Sequence, residues 1–413
     1  MEKQLQPKLR FPEFEGEWKN FILKDISLKI KDGTHFSPKT FKKGDYKYLT
    51  SKNVKNGYLD FTNLEYINKE DHFKIYSSSD VKYGDILLTK DGTIGQCCVN
   101  TLEEEFSLLS SVAFIRVKDD FYNYFIYQLL VSSIGQREIE KAIAGQALKR
   151  ITLTKINDFK FNLPSLPEQQ KIADYLSTID TKITLLEEKK TELSRYKKAM
   201  MQKLFSQEIR FKDENGNDFS NWEEKKLGEV FNSYNGLTGK TKENFGFGKP
   251  YIKYTQVFND SKINVQNFDF VEITENDNQN SVEFGDAFFT VSSETPHEVG
   301  MSSVLLDSVE NVYLNSFCFG IRPISKNLNP YYYRYFFRSK NFRKEVIKLA
   351  QGSTRYNMSK IEFMKINIQI PSLPEQQKIA DFLSAIDESI DKVSEQIKET
   401  QSFKKAMLQQ MFV

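Results

Sequence analysis

LPSLPEQQKIADYLSTID, residues 163–180, returns almost letter for letter as IPSLPEQQKIADFLSAID at residues 370–387. The match continues without a gap to KKAMMQKLF and KKAMLQQMF, so residues 163–205 and 370–412 share 24 identities in 43 positions at an offset of 207. Self-similarity of this kind divides the chain into two halves of one plan. Pro167 and Pro374 stand where a first helical turn tolerates proline, and Glu168 and Glu375 follow at the positive end of a helix dipole. Neither Gly nor Pro occurs again for nearly forty residues. Apolar residues step by four and three through Ile172, Leu176, Ile179, Ile183, Leu186 and Leu193, then Met200 and Leu204, with Lys190 and Lys197 interrupting the seam. The second copy runs Ile379, Leu383, Ile386, Ile390, Val393 and Ile397, then Met407 and Met411. Each is a heptad pattern, and about 39 helical residues make a rod roughly 58 Å long. Two equivalent seams predict that the helices pack on each other, antiparallel, with a pseudo-twofold relating the halves. The alternative is that each helix is buried separately in its own half.

Weaker echoes lie outside the helices. Trp18, Leu23 and Asp25 answer Trp222, Leu227 and Glu229, Gly84-Asp85 answers Gly285-Asp286, and Gly145 answers Gly352. The offset drifts from 201 to 207 across these echoes, as insertions in divergent loops would cause. The regions 20–162 and 222–369 are each long enough for a domain. Both mix strand-like runs, such as YGDILLTKDGTIGQCCVN and VYLNSFCFGIRPI, with helical stretches at about 121–143 and 330–350. The expected fold is therefore α/β: two mixed α/β domains joined by two long antiparallel helices in an internal repeat. By segment this gives a first domain (1–162), a central helical region (163–208), a second domain (209–369) and a C-terminal helical region (370–413).

Composition narrows the function classes. The 413 residues are 28% charged and 14% aromatic, with only 19 Gly and 11 Pro, which excludes collagen-like and wholly disordered chains. No run of about 18 apolar residues suggests a membrane span, and the opening residues lack a secretory signal pattern, so a cytoplasmic protein is expected. Cys97, Cys98 and Cys318 do not form a disulfide framework, and His35, His72 and His297 are too scattered to suggest a metal site or a catalytic triad. Net charge is only +2, but its distribution is uneven. Residues 29–55 carry eight lysines against Asp32 and Asp45, and residues 334–360 carry eight cations against Glu345 alone. Between them, residues 267–298 hold eight carboxylates and no Lys or Arg. Basic clusters of this kind suggest contact with a polyanion, against the blander reading of solvated faces.

At the doubled LPSLPEQQKIA and IPSLPEQQKIA the chain resembles the specificity subunits of type I restriction-modification systems, over essentially its whole length. KDGTHFSPK (31–39), LTSKNVKNG (49–57) and YGDILLTKDGTIG (83–95) are similar to the family's first-domain text. The second domain keeps WEEKKLGEV, YIKYTQV, FGDAFFT and QGSTRYNMSKIEF, while FTVSSETPHEVG departs from the fuller wording. The resemblance implies a non-catalytic reader of double-stranded DNA, with two target-recognition domains for the two halves of a bipartite site and the helices as a ruler for the gap. It also implies two modification subunits that carry S-adenosylmethionine and methylate adenine, restriction subunits that use ATP and Mg, and no cofactor on this chain.

Enzyme motifs are weak. Gly236-Leu-Thr-Gly239-Lys240-Thr241 lacks the Walker spacing because Tyr234 occupies the place of the first glycine. NFGFGKP and Asn329-Pro330-Tyr331-Tyr332 only partly match methyltransferase motifs, and Asp218, Glu223 and Lys225 mimic a nuclease set inside a repeated structural segment. A stand-alone DNA methyltransferase or nuclease, or a coiled-coil scaffold, are the competing readings.

DNA contacts come from Lys, Arg, hydroxyl and amide side chains presented on loops. In the first domain the candidates are Lys31, Thr34, His35, Lys39, Lys52, Asn53, Lys90, Thr93, Lys149 and Arg150. In the second they are Lys240, Lys253, Tyr254, Gln256, Ser292, Ser293, Arg355, Tyr356 and Asn357. Arg355 leads, because it follows Gly352-Ser-Thr in a polar turn that corresponds to the stretch 146–150 of the first domain.

Overall fold

The computed structural model describes residues 6–144 and 149–413. The chain forms two compact units, residues 1–188 with 394–413, and residues 189–393. The division runs through the two long helices, Leu166–Phe205 and Leu373–Gln410, rather than at their ends. Each unit thus owns the beginning of one helix and the last turns of the other.

The repeated Pro-Glu-Gln motif explains how each helix starts. In the first unit Glu168 is buried and accepts from Arg10 Nε at 2.8 Å, Arg10 Nη2 at 2.8 Å and Trp18 Nε1 at 3.3 Å. The next residue, Gln169, donates to Pro164 O and accepts from Tyr122 N, which ties the helix start to the domain before it. The second unit repeats every one of these contacts. Glu375 accepts from Arg210 and Trp222, and Gln376 donates to Pro371 O and accepts from Asn329 N. A buried carboxylate is tolerated because charged and neutral donors surround it.

The seams are buried at their beginnings and half-open further along. Ile172, Leu176 and Ile179 belong to one cluster with Trp18, Phe125 and Phe161 of the domain and with Met407, Met411 and Phe412 of the second helix's end. Ile183 packs at its margin, and Leu186 is half-buried. In the second unit Ile379, Leu383 and Ile386 join Leu227, Phe231 and Tyr335 with Leu204 and Phe205, and Ile390 packs at the margin. Val393 is buried, whereas Leu193 and Ile397 are half-buried. The expectation of helix-on-helix packing and its alternative each describe part of this: the first turns serve the preceding domain and the partner helix together. The direction of pairing is antiparallel within each unit. Asp180 pairs with Lys404 in the first and Lys197 with Asp387 in the second, and the repeat maps one ion pair onto the other.

Each domain hangs on a two-stranded ladder, Lys19–Ile22 with Lys160–Leu163 or Glu223–Lys226 with Asn367–Ile370. Beyond it lies a four-stranded antiparallel sheet, ordered 27–32, 112–117, 86–89, 97–99 in the first unit and 231–235, 318–323, 287–290, 302–304 in the second. A three-stranded sheet follows in each, 65–67, 46–49, 107–108 and 269–271, 245–252, 313–314. The Gly-Asp echo anchors the four-stranded sheets. Gly84 and Gly285 turn the chain at φ +84° and +86°, a region open to glycine. Asp85 then takes Arg116 in a two-point pair and Asp286 takes Arg322.

The helical stretches read as single segments are each two helices. In the first, Ser132 adopts extended geometry between Asn123–Val131 and Ser133–Ile143, and its hydroxyl accepts from Ile134 N. In the second, Ser339 caps Lys340–Lys348 after Pro330–Phe336. Serine competes for the backbone in this way and stops the first helix. His72 is fully buried, stacked on Tyr46 with centroids 3.7 Å apart, while His35 and His297 are exposed. The three cysteines are buried and free, and burial pushes the Cys98 thiol up to about 12.

Candidate nucleic-acid interface

The divergent loops line one cleft in each unit. In the first unit a cleft of about 750 Å³ lies between the turn Thr50–Asn53, the segment 37–40 and Asp91-Gly92. Lys52 projects there, exposed. Thr93 donates to Ser51 O at 3.2 Å, and Arg150 bridges Asp91 through the backbone, so Lys52, Thr93 and Arg150 share this rim. Thr34 bridges Leu109, a lining residue, and Lys39 is exposed over the Phe41 ring. Lys149 is exposed beside Arg150. His35 faces Asp32 at 3.4 Å, and Lys31, on the edge strand of the four-stranded sheet, donates to Ser78 O.

The second unit has the matching cleft, about 790 Å³, lined by Tyr254, Phe258, Ser292, Glu294, Thr354 and Arg355 among others. Ser292 and Ser293 form a short strand that pairs with Asn357 and Tyr356. Gln351 and Asn357 exchange backbone bonds, which makes 351–357 a closed hairpin with Arg355 near its tip. Gly352 has φ +133°, and a Cβ there would stand 2.2 Å from Arg355 O, so only glycine permits the turn. Arg355 is exposed and lies over the Phe317 ring at 5.9 Å. Tyr356 is half-buried against the core. The corresponding stretch of the first domain, from Gly145 and Gln146, lies outside the described residues.

Several candidates differ from the expectation of loop-borne readers. Asn53 is 3% exposed; it accepts from Thr50 N at 2.9 Å and donates to Asp60 O at 3.0 Å. Gln256 repeats that role, donating to Asn267 O and accepting from Asn264 N. Lys90 pairs with Asp32 at 2.9 Å. Lys240 is held by Asp277 at 2.6 Å, and that hydrogen bond depresses the Asp277 carboxyl to about 2. Lys253 donates to Asn267 and Asp269. Tyr254 directs its hydroxyl to Ser292 O at 2.8 Å, and burial raises its pKa.

The basic run 334–360 is also less free than its charge count. Arg338 is held by the carbonyls of Val257, Phe258, Asp260 and Ser302, and Arg343 by those of His297, Val299 and Gly300. Burial lowers both guanidinium groups to about 10. Arg334 pairs with Asp387. Of the carboxylates in the acidic run only Asp286 is buried, where it takes Arg322, and the exposed Glu283 pairs with the same guanidinium.

The residues that sequence reasoning passed over are Glu294, Glu298 and Phe258. The signal for the two glutamates is an insertion, while Phe258 lies on the short helix Tyr254–Asn259. Thr89 and Thr290 make identical strand-end bonds, to Gly95 and Gln96 in the first unit and to Gly300 and Met301 in the second. The span between them is four residues longer in the second unit, and the extra length carries Glu294 to Glu298. That is where FTVSSETPHEVG departs from the first-domain wording.

The family model described as type I restriction modification DNA specificity domain matches the chain twice, over residues 15–195 and 219–400. The chain belongs to the type I restriction-modification specificity family. Its two halves are the DNA specificity domains of such a system. The MjaVIII specificity subunit of Methanocaldococcus jannaschii is 25% identical over 384 residues, covering 86% of this chain and 83% of the relative. The S subunit of M. genitalium has the same fold, with TM-score 0.57, 17% identity and 99% of each chain covered. A further chain, solved in work on complex assembly and conformational transition of the type I system, has TM-score 0.58 and 14% identity over 95% of this chain and 96% of its own. Among the described residues of this specificity protein no helix is long and apolar enough to cross a membrane.

Proposed function

We propose that this chain is the non-catalytic DNA-reading subunit of a cytoplasmic type I restriction-modification complex. Each domain reads one half of a bipartite, asymmetric site, and the long helices set the gap. Two modification subunits carrying S-adenosylmethionine dock on the repeated frame and methylate adenine, and restriction subunits add ATP- and Mg-dependent translocation and cleavage. The chain itself holds no cofactor.

One observation carries this reading. The frame is the same in both units down to single hydrogen bonds at Glu168 and Glu375, while the two clefts carry different side chains and loops of different length. Repetition preserves a surface for two copies of one partner, and divergence supplies two unlike readers.

The test is single-molecule methylation sequencing of DNA from cells expressing the chain with its cognate modification subunit, against cells lacking the chain. A new bipartite motif with adenine methylated on both strands is expected. No new motif despite a purified complex of the two proteins would return weight to a scaffold.

A further inference from the structure

The inserted loop and the 351–357 hairpin of the second domain bring two opposite charges to one cleft, and they do not pair. Glu294 is exposed, and among the described residues its carboxylate has no hydrogen bond or ion pair. Arg355 is exposed over Phe317, and its guanidinium donates to no protein acceptor among the described residues. Their polar neighbours are already committed: Glu298 accepts from Thr295 Oγ1 at 2.8 Å, and the Tyr254 hydroxyl donates to Ser292 O. Tyr254 and Phe258 stack beside them, centroids 5.9 Å apart and planes 21° apart.

A carboxylate on a DNA-facing surface is repelled by phosphates, so it persists there at a gain only if it meets a hydrogen-bond donor. The ligand edge must therefore offer a donor to Glu294 and acceptors to Arg355. In the major groove cytosine presents its N4 amino donor, and its partner guanine presents O6 and N7, which match the guanidinium fork. An A·T pair supplies the donor without that two-point acceptor.

We infer that the second domain reads a C·G base pair from the major groove, with Glu294 accepting from cytosine N4 and Arg355 donating to guanine O6 and N7. The inference rests on the proposed function and adds a base identity to it. It belongs to the second half-site alone, because the first domain has the shorter loop with Thr93 in place of this carboxylate.

The experiment uses the full chain purified with its cognate modification subunit, after the motif has been mapped. Duplexes carry pyrimidin-2-one in place of each cytosine of the second half-site in turn, which removes only the N4 amino group. At one position wild-type binding should fall by about 5- to 150-fold. Glu294→Ala should bind natural and substituted duplexes alike at that position while keeping wild-type discrimination in the first half-site. Arg355→Lys should lose the preference for guanine at the same pair. A second half-site without a C·G pair, or Glu294→Ala with undiminished discrimination, overturns the inference and leaves the proposed function standing. A wild-type complex that selects no sequence at all overturns both.

Discussion

Asn53 sits in a turn and Gln256 in the short helix Tyr254–Asn259, both just after a strand of the three-stranded sheet, and each binds the backbone that leads away from it. Removing such an amide leaves buried N–H and C=O groups without partners, at about 1–3 kcal/mol. Asn53→Ala and Gln256→Ala should therefore lower the midpoint of urea unfolding while leaving the methylated motif unchanged. Arg355→Ala should do the reverse. Among the described residues its guanidinium makes no hydrogen bond or ion pair and lies over the Phe317 ring, so stability should hold. Recognition of the second half-site should weaken by ~1–3 kcal/mol, concentrated on one base pair for a base contact and spread over all sequences for a phosphate contact. Competition binding against a panel of single-base variants separates the two. These contrasts also show what a sequence hides at this scale. A polar residue in a turn reads the same whether it faces solvent or ties the turn together. The difference for Asn53 and Gln256 is made by the carbonyls of Asp60 and Asn267, at distances along the chain that loop length alone sets. Arg338 and Arg343 misled for a related reason: a guanidinium has enough donors to satisfy several carbonyls at once and so serves as internal scaffolding.

Among the elements, the helix starts are the most constrained. Glu168 is the common acceptor for Arg10 and Trp18, and Glu375 for Arg210 and Trp222. Glu168→Ala or Glu375→Ala removes the buried acceptor of the indole and of one edge of the guanidinium, a class of change worth about 1–3 kcal/mol, while Arg10 and Arg210 keep their backbone carbonyl acceptors. Each should produce a marked loss of unfolding free energy by denaturant titration. Replacing the exposed Lys189 by Ala, on the same helix, should not. The helices themselves were legible because proline placement and apolar periodicity are local signals. The buried role of the glutamate was not, since Arg10 lies 158 residues before it. The split of each helical stretch at Ser132 or Ser339 was present in the sequence as a capping residue, but it was masked by apolar periodicity on both sides.

For the whole molecule, the ruler reading makes a geometric claim. Deleting one heptad from each long helix removes about 10 Å of rod at ~1.5 Å per residue, or about three base pairs of rise at ~3.4 Å each. Methylation sequencing of the shortened protein should report a gap altered by about that amount, or no methylation; an unaltered motif would rule the ruler out. The duplicated plan was readable from the repeat alone, whereas the boundaries of the compact units were not, because they follow contacts between distant parts of the chain. One such contact has a consequence in time. Leu9 N donates to Gln410 O, and Phe412 packs on Trp18 and Phe125, so the first unit is built from two segments that lie far apart along the chain. The second unit is contiguous and has all its parts once residue 393 has been made. On the ribosome, the domain begun first is therefore finished last. At ~5–20 residues per second, roughly 10 to 45 s separate the synthesis of Glu188 from that of Val413. Through that interval Trp18 and Phe125 wait without their aromatic partner, and a nascent chain stalled there would offer the cell's chaperones an unfinished core.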